Sequence, residues 1–375
     1  MSIRVSPVLS GLRAYPFVGL TDAKARLRAE GVEVLDFGVG EPREQTPAFI
    51  RAALADAVEP LSTYPLATGV PELRDAIAGW IERRFGARLD PDREVIPTLG
   101  SKEAIFSFAQ VLDGDLVAVP TPAYPVYERG AAFAGKAVLE LPLRAEAGFL
   151  PDLDAVPADT WARVALLWLN YPNNPTAASA PLALYERAAE LAREHGFLLA
   201  SDEAYSEIYF GDPPRSVLEL ADRTNVVALN TLSKRSSMPG YRSGFVAGDP
   251  DVIAALKRYR PNVGVAPPEF VQRAAAVAWR DEAHVDAVRA TYARKREALL
   301  PALEARGLRH AGGDATFFLW LDGGAGAEAT AAAWLERGII VAPGSFFGPA
   351  GEGFLRFALV PPLEECERAA ALLTA

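Results

Sequence analysis

The chain has 375 residues, half of them apolar, enough for two packed units. Its formal charge of −10 argues against a nucleic-acid partner, which would need a basic face. The single cysteine, Cys366, rules out an internal disulfide framework and reads as an inert thiol in a reducing cytosol. His195, His284 and His310 stand far apart, with no pair at helical ligand spacing, so no metal is expected. The N-terminal MSIRVSPVLSGLRAYPF lacks the uninterrupted apolar core of a signal peptide, and no later segment approaches the ~20 apolar residues of a membrane span. A cytoplasmic protein with no membrane partner is expected. Arginine outnumbers lysine 32 to 6, which fits genome composition or thermal adaptation alike.

In chain order, residues 21–30 form an amphipathic stretch in a segment, 1–45, that is expected to join a smaller domain. From about residue 92, β-branched runs alternate with helical stretches: 95–99 then 102–112, 116–119 then 127–134, 164–170 then 181–195, 198–202, and 226–232. This alternation predicts an α/β fold, with a large domain over 46–265 built on a mostly parallel sheet covered by helices. Residues 268–303 read as long helices, and 311–375 mix strands, Gly-rich turns and a final helix. A smaller α+β domain over 266–375, completed by the N-terminal segment, follows. Ligands in such folds collect at the carboxyl ends of the strands.

Several polar residues fall at those predicted strand ends. Lys234 follows the run 226–232 within TLSKRSSMPGYRSGF, with Ser233 before it and Arg242 eight residues after. A lysine kept partly unprotonated forms a Schiff base with an aldehyde, and a fixed guanidinium holds a phosphate by paired hydrogen bonds. Pyridoxal phosphate carries both groups. Gly100, Ser101 and Lys102 open a helix after a strand, where free N–H groups attract an anion, and Thr231 and Ser233 add donors. Small residues also cap helices everywhere. Asp202, in LASDEAY, reads as a helix N-cap or as a carboxylate paired with a buried cation such as a pyridinium nitrogen. Tyr205 reaches a ring hydroxyl or packs in the core. Asn174, in NYPNNPT, hydrogen-bonds the ring hydroxyl or belongs to an ordinary turn. Tyr124, in PTPAYPVY, stacks on a flat ring or is core. A nicotinamide oxidoreductase would need a third glycine after Gly38 and Gly40, where Arg43 stands instead.

Taken in order, FGVGEP, YPLATGVPELR, GSKEA, TPAYPVY, NYPNNPT, SDEAY, LSKRSSMPGYRSGF and APGSFFGPAGEGFLRF resemble the fold type I pyridoxal-phosphate aminotransferases, classes I and II, over nearly the whole chain. The resemblance implies that Lys234 binds the cofactor aldehyde and shuttles the proton, while Asp202 pairs with the pyridine nitrogen. It implies that Tyr205 and Asn174 hold the ring oxygen, Tyr124 stacks on the ring, and Gly100, Ser101, Lys102, Thr231, Ser233 and Arg242 surround the phosphate. Arg356 would clamp the substrate α-carboxylate, with Asn174 and the Gly40 backbone nearby. Tyr64 would reach the phosphate of a neighbouring subunit, which implies a homodimer with shared sites. Ala177 stands where the family has glycine, at a cost of about 1 kcal/mol if the backbone needs positive φ.

Within the family, YPF near the N-terminus, the Ser-Lys-Arg-Ser run and PGYRSGFVAGD most resemble succinyldiaminopimelate aminotransferases of lysine synthesis, with 2-oxoglutarate as acceptor. Arg235 reads as a subgroup marker or as a surface salt-bridge partner. Phe17, Val18 and Gly19 align with residues that approach the substrate side chain. The alternatives are an aspartate, alanine or aromatic aminotransferase, or a carbon–sulfur β-lyase using the same cofactor residues.

Overall fold

The computed structural model describes residues 3–12, 17–264 and 266–374. Its strands in chain order are β1 (Leu35–Asp36), β2 (Val95–Thr98), β3 (Leu116–Thr121), β4 (Ala137–Pro142), β5 (Val164–Asn170), β6 (Leu198–Asp202), β7 (Val226–Thr231), β8 (Gly244–Gly248), β9 (Arg309–His310), β10 (Phe318–Asp322), β11 (Ile339–Ile340), β12 (Ala342–Pro343) and β13 (Phe354–Ala358). Seven of them form one sheet in the order β2-β8-β7-β6-β5-β3-β4. Among the described residues of this sheet, β8 alone runs antiparallel.

The central strands are apolar on both faces. In β5, VALLWLN is buried at every position, as expected of a parallel strand with helices on both sides. One face packs Trp80, Trp161, Tyr185 and Trp279 into a core, and the other packs Phe108, Tyr127 and Trp168. The edge strand β4 is largely open to solvent, with Glu140 exposed on it, a charge that discourages edge pairing.

A second, four-stranded antiparallel sheet, β12-β13-β10-β9, is filled by Phe317, Leu319, Leu355 and Phe357. The long helix Ala283–Ala305 covers it through Tyr292 and Leu299. The N-terminal segment joins this unit, since β1 pairs parallel with β11 through Leu35↔Ile339. The stretch expected over 21–30 is the helix Val18–Ala29, which buries Leu27 and is otherwise tied by ion pairs, Lys24–Asp36 at 2.7 Å and Arg26–Glu336 at 2.8 Å.

Two features depart from the expected layout. The helix Glu269–Arg280, placed by sequence in the smaller domain, packs into the core of the large sheet through Trp279 against Trp80, with ring centroids 4.6 Å apart. The division at 265/266 cuts through that contact. Strand β8 has no counterpart among the expected elements, because GFVAG looks like a turn with glycine at both ends. Those glycines are required by close approach: a Cβ on Gly244 would lie 2.6 Å from the Asn230 carbonyl oxygen, and one on Gly248 would lie 2.3 Å from that of Val226.

Candidate active site

The carboxyl ends of β2, β3, β5, β6 and β7 converge on a cavity of about 240 Å³. Ser101 and Lys102 enter it after β2, Tyr124 after β3, Asn174 after β5, Asp202 and Tyr205 at and after β6, and Thr231, Ser233 and Lys234 at and after β7. Arg242, Gly40, Phe17 and Arg356 complete the wall.

Lys234 sits on a one-turn helix, Leu232–Arg235, begun by Thr231, whose side chain accepts from the Ser233 N–H at 3.1 Å. Its Nζ donates to the Gly40 carbonyl at 2.7 Å. Burial lowers the amine to about 8, helped by the positive charges of Arg356 and Arg242 and opposed by Glu41 and Asp202. Gly40 has no room for a side chain, since a Cβ there would lie 2.8 Å from the Phe318 ring.

Asp202 ends β6 inside the protein, 5% exposed. It accepts from Tyr127 Oη at 2.7 Å and from the Ala204 N–H at 3.2 Å, yet burial still raises its carboxyl to about 6. Asn170 braces this corner by donating to the Asp202 carbonyl at 2.8 Å and accepting from the Asn174 N–H at 2.9 Å. Arg356, on β13 and 2% exposed, donates to Asn174 Oδ1 at 2.8 Å and to the Gly38 carbonyl at 2.7 Å. Its guanidinium carbon lies 4.2 Å from the Phe318 ring centre and 4.5 Å from that of Phe347, so aromatic faces and two acceptors replace its water. Residues 38–40 therefore hold both Lys234 and Arg356 by backbone carbonyls.

At the opposite edge, Arg242 is in the left-handed region, φ 54°, and donates to the carbonyls of Pro239 (2.9 Å) and Leu99 (3.1 Å). Gly100, φ 71°, leaves space for it: a Cβ there would stand 2.6 Å from Arg242 Nη2. Thr231 Oγ1 lies 2.9 Å from Ser233 Oγ and donates to the Ser243 carbonyl at 2.9 Å. Burial lowers the Lys102 ammonium, with Arg242 and Arg129 adding repulsion. Two hydroxyls, an ammonium, a guanidinium and the N-terminus of the helix Ser101–Phe108 fit a phosphate, and the buried Asp202 fits a cationic ring nitrogen. The residues present therefore suit pyridoxal phosphate.

Tyr64, expected at the phosphate of a neighbouring subunit, is 99% exposed and lies outside this chain's own cavity. Gly19 is exposed on the helix Val18–Ala29, with nothing within 4 Å of a Cβ built on it, so it does not approach the site as expected. Phe17 does line the cavity, whereas the side chain of Val18, together with Tyr15 and Pro16 of the YPF motif, lies outside the described residues. Arg235 is not a surface residue: it is 1% exposed, because two tryptophan rings and carbonyl acceptors replace its water. Sequence reasoning assigned no role to Tyr127 or Asn170. Tyr127 follows Tyr124 by three residues in TPAYPVY, and Asn170 ends a wholly apolar strand; both positions carried a usable signal.

A buried lysine with a lowered pKa, a desolvated carboxylate and an edge suited to phosphate at the end of a parallel sheet fit an α/β enzyme working through an aldehyde cofactor. The chain belongs to the family described as aminotransferase class I and II, whose family model matches residues 32–373. That family depends on pyridoxal phosphate, so this is a pyridoxal-phosphate-dependent aminotransferase. The chain is 39% identical over 369 residues to the LL-diaminopimelate aminotransferase of Nitratidesulfovibrio vulgaris (strain DP4), covering 96% of this chain and 95% of that one. Among solved structures it resembles an aminotransferase from Neisseria meningitidis Z2491, with TM-score 0.90, 36% identity and 98% and 99% of the two chains covered. It also resembles a probable N-succinyldiaminopimelate aminotransferase from Thermus thermophilus, with TM-score 0.87, 34% identity and coverage of 96% and 99%.

Proposed function

We propose that the chain moves the α-amino group of a diaminopimelate-type donor to 2-oxoglutarate, in diaminopimelate and lysine synthesis, with Lys234 as the cofactor lysine. The observation that carries the site assignment is that Lys234 and Arg356 are both held by one short loop, through Gly40 and Gly38. An α-amino acid has its carboxylate one bond from the carbon that must lose a proton, and this spacing of amine and guanidinium suits it.

Pyridoxal phosphate, when bound, supplies an aldehyde for the donor amine and an electron sink for the α-carbon. The chain's own residues do the rest. Arg356 holds the α-carboxylate by paired hydrogen bonds, with Asn174 beside it. Lys234, with its pKa brought to about 8, takes the α-proton at Nζ and returns it. Asp202 would keep a ring nitrogen protonated, Tyr205 and Asn174 would hold the ring oxygen, and Tyr124 would stack on the ring. Gly100, Ser101, Lys102, Thr231, Ser233 and Arg242 would hold the phosphate. Phe17 borders the side-chain end of the cavity. The enzyme acts as a homodimer in the cytoplasm, with Tyr64 completing the partner's phosphate site.

The name of the Nitratidesulfovibrio relative supports free LL-diaminopimelate as donor, and the Thermus name supports the N-succinylated form as the second reading. Single-turnover reactions that follow the loss of cofactor absorbance on adding each donor distinguish them. LL-diaminopimelate is expected to react at least tenfold more efficiently than N-succinyl-LL-diaminopimelate, aspartate, alanine or phenylalanine. Preference for aspartate would overturn the donor assignment, and release of pyruvate and ammonia without an oxo acid would point to a β-lyase. Lys234→Ala should abolish borohydride-trappable cofactor, and a retained covalent link would remove the central assignment.

A further inference from the structure

The turn that carries Lys234 cannot hold its own shape. A helix of four residues, Leu232–Arg235, closes too few hydrogen bonds to offset the ordering of its backbone, so its geometry must come from contacts outside it. Thr231 supplies one end. At the other end, the two residues after Lys234 both grip the same short stretch of chain, 278–284.

Arg235 passes between Trp80 and Trp279, with its guanidinium carbon 5.6 Å and 5.0 Å from their ring centres. It donates to the carbonyls of Ala278 (2.8 Å) and Asp281 (3.1 Å) and to Glu282 Oε1 (2.8 Å). These carbonyls belong to the end of the helix Glu269–Arg280, where unsatisfied oxygens gather and a cation is favoured. Ser236 Oγ meets His284 Nε2 at 2.8 Å, and His284 Nδ1 meets Asp281 Oδ1 at 2.6 Å. Asp281 Oδ1 also accepts the His284 N–H at 3.0 Å, which fixes the imidazole against its own helix start. Ser236 is fully buried and His284 nearly so. This is a serine–histidine–aspartate row, but with its serine sealed from solvent it has no substrate to reach.

Residues 278–284 lie where the chain leaves the core of the large sheet, at Trp279, and enters the helix Ala283–Ala305 that packs on the smaller sheet. Successive helical side chains point about 100° apart, so Lys234 faces the cavity while Arg235 faces this junction. We propose that Arg235, Ser236 and His284 are positioning residues: they anchor the 278–284 junction to the turn after β7 and so set the depth at which the Lys234 amine enters the cavity.

The inference rests on Lys234 being the cofactor lysine. It explains why the amine stays beside the Gly40 carbonyl in a desolvated place, where a looser turn would let it reach water and recover its ordinary basicity.

The test compares Arg235→Met, which keeps an unbranched apolar stem but not the guanidinium donors, with Arg235→Lys, Ser236→Ala and His284→Asn. Three quantities are read. The first is the pH dependence of Lys234 acylation in the apoprotein, located by peptide mass spectrometry. The second is the pyridoxal phosphate dissociation constant, and the third is the melting temperature of the apoprotein. Arg235→Met is expected to raise the apparent pKa of Lys234 by about one unit and to weaken pyridoxal phosphate binding tenfold or more. Ser236→Ala and His284→Asn should shift both in the same direction by less, and Arg235→Lys should recover part of the loss. A fall in melting temperature with an unchanged lysine pKa and dissociation constant in the variants that fold would make these residues structural only and overturn the inference. If Arg235→Met does not fold, the Ser236 and His284 variants decide it by the same criterion. Failure of borohydride to trap cofactor on Lys234 in the parent protein would instead overturn the functional assignment.

Discussion

Asp202 illustrates how a single residue is prepared for a partner. Its carboxyl is raised from 3.8 to about 6, mainly by burial, so between those values the folded apoprotein binds a proton that the unfolded chain has released. The contribution of Asp202 to stability therefore falls as pH rises from about 4 to about 6, by on the order of 3 kcal/mol, and stays low above that. Asp202→Asn removes this dependence. The stability of the variant relative to the parent, measured by urea unfolding of both apoproteins, should rise by about 3 kcal/mol between pH 3.5 and pH 7. A constant difference would mean that Asp202 is solvated. Saturating pyridoxal phosphate should reverse the ranking at pH 7, because a cationic ring nitrogen gives the carboxylate its partner. Ala177 is a smaller case. The family resemblance sets alanine at a position where glycine is expected, and the backbone there does take φ 61° while fully buried. Left-handed alanine costs about 1 to 2 kcal/mol, against which glycine adds about 0.5 to 1 kcal/mol of unfolded-state freedom. Ala177→Gly should raise the urea midpoint by the equivalent of about 0.5 kcal/mol, with unchanged slope and unchanged activity.

At the scale of elements, the turn after β7 depends on Thr231. Its hydroxyl caps the Ser233 N–H and donates to the buried Ser243 carbonyl, linking the start of the Lys234 helix to the approach of β8. Thr231→Val keeps the shape and removes both bonds, so it should cost about 1 to 3 kcal/mol in urea unfolding and weaken cofactor retention on dialysis. Thr231→Ser should retain both properties; equal losses in the two variants would mean that the threonine methyl, rather than its hydroxyl, carries the effect. The elements were legible where side chains recorded their burial. β5 and β6 are buried throughout, and Asn170 in one and Ser201 and Asp202 in the other break the apolar run at the end where the cavity lies. β8 was not legible, since its two terminal glycines are there for backbone clearance and leave only FVA as a strand signal. The interior place of Arg235 was hidden for a related reason: an arginine's burial depends on distant acceptors, here the carbonyls of Ala278 and Asp281, more than forty positions along the chain. The cavity wall at Tyr127 and Asn170 depends likewise on which strand ends meet, a property of sheet order that local pattern does not encode.

At the scale of the whole molecule, the segment around Tyr64 stands open to solvent in the single chain. Tyr64 is 99% exposed, and Val58, Leu61 and Leu66 near it are 57%, 78% and 68% exposed, four apolar or aromatic side chains left open within nine residues. If a second copy covers it and Tyr64 serves the phosphate edge of the neighbouring cavity, each site draws Tyr64 from one subunit and Lys234 from the other. Tyr64→Ala should then weaken pyridoxal phosphate binding by about tenfold, the loss of one charge-assisted hydrogen bond. A mixture makes the sharper test. Homodimers of Tyr64→Ala and of Lys234→Ala each lack one component at both sites. Exchange of subunits yields hybrid dimers in which one site has both components and the other has neither. With random exchange half of the dimers are hybrids and half of their sites are whole, so activity at limiting cofactor should recover to about a quarter of the parent value. Were Tyr64 to act within its own chain, every site in the hybrid would still lack one component, and no recovery would follow. Light scattering on the same samples separates this outcome from a failure to dimerise, because a monomeric protein would show neither exchange nor the doubled mass.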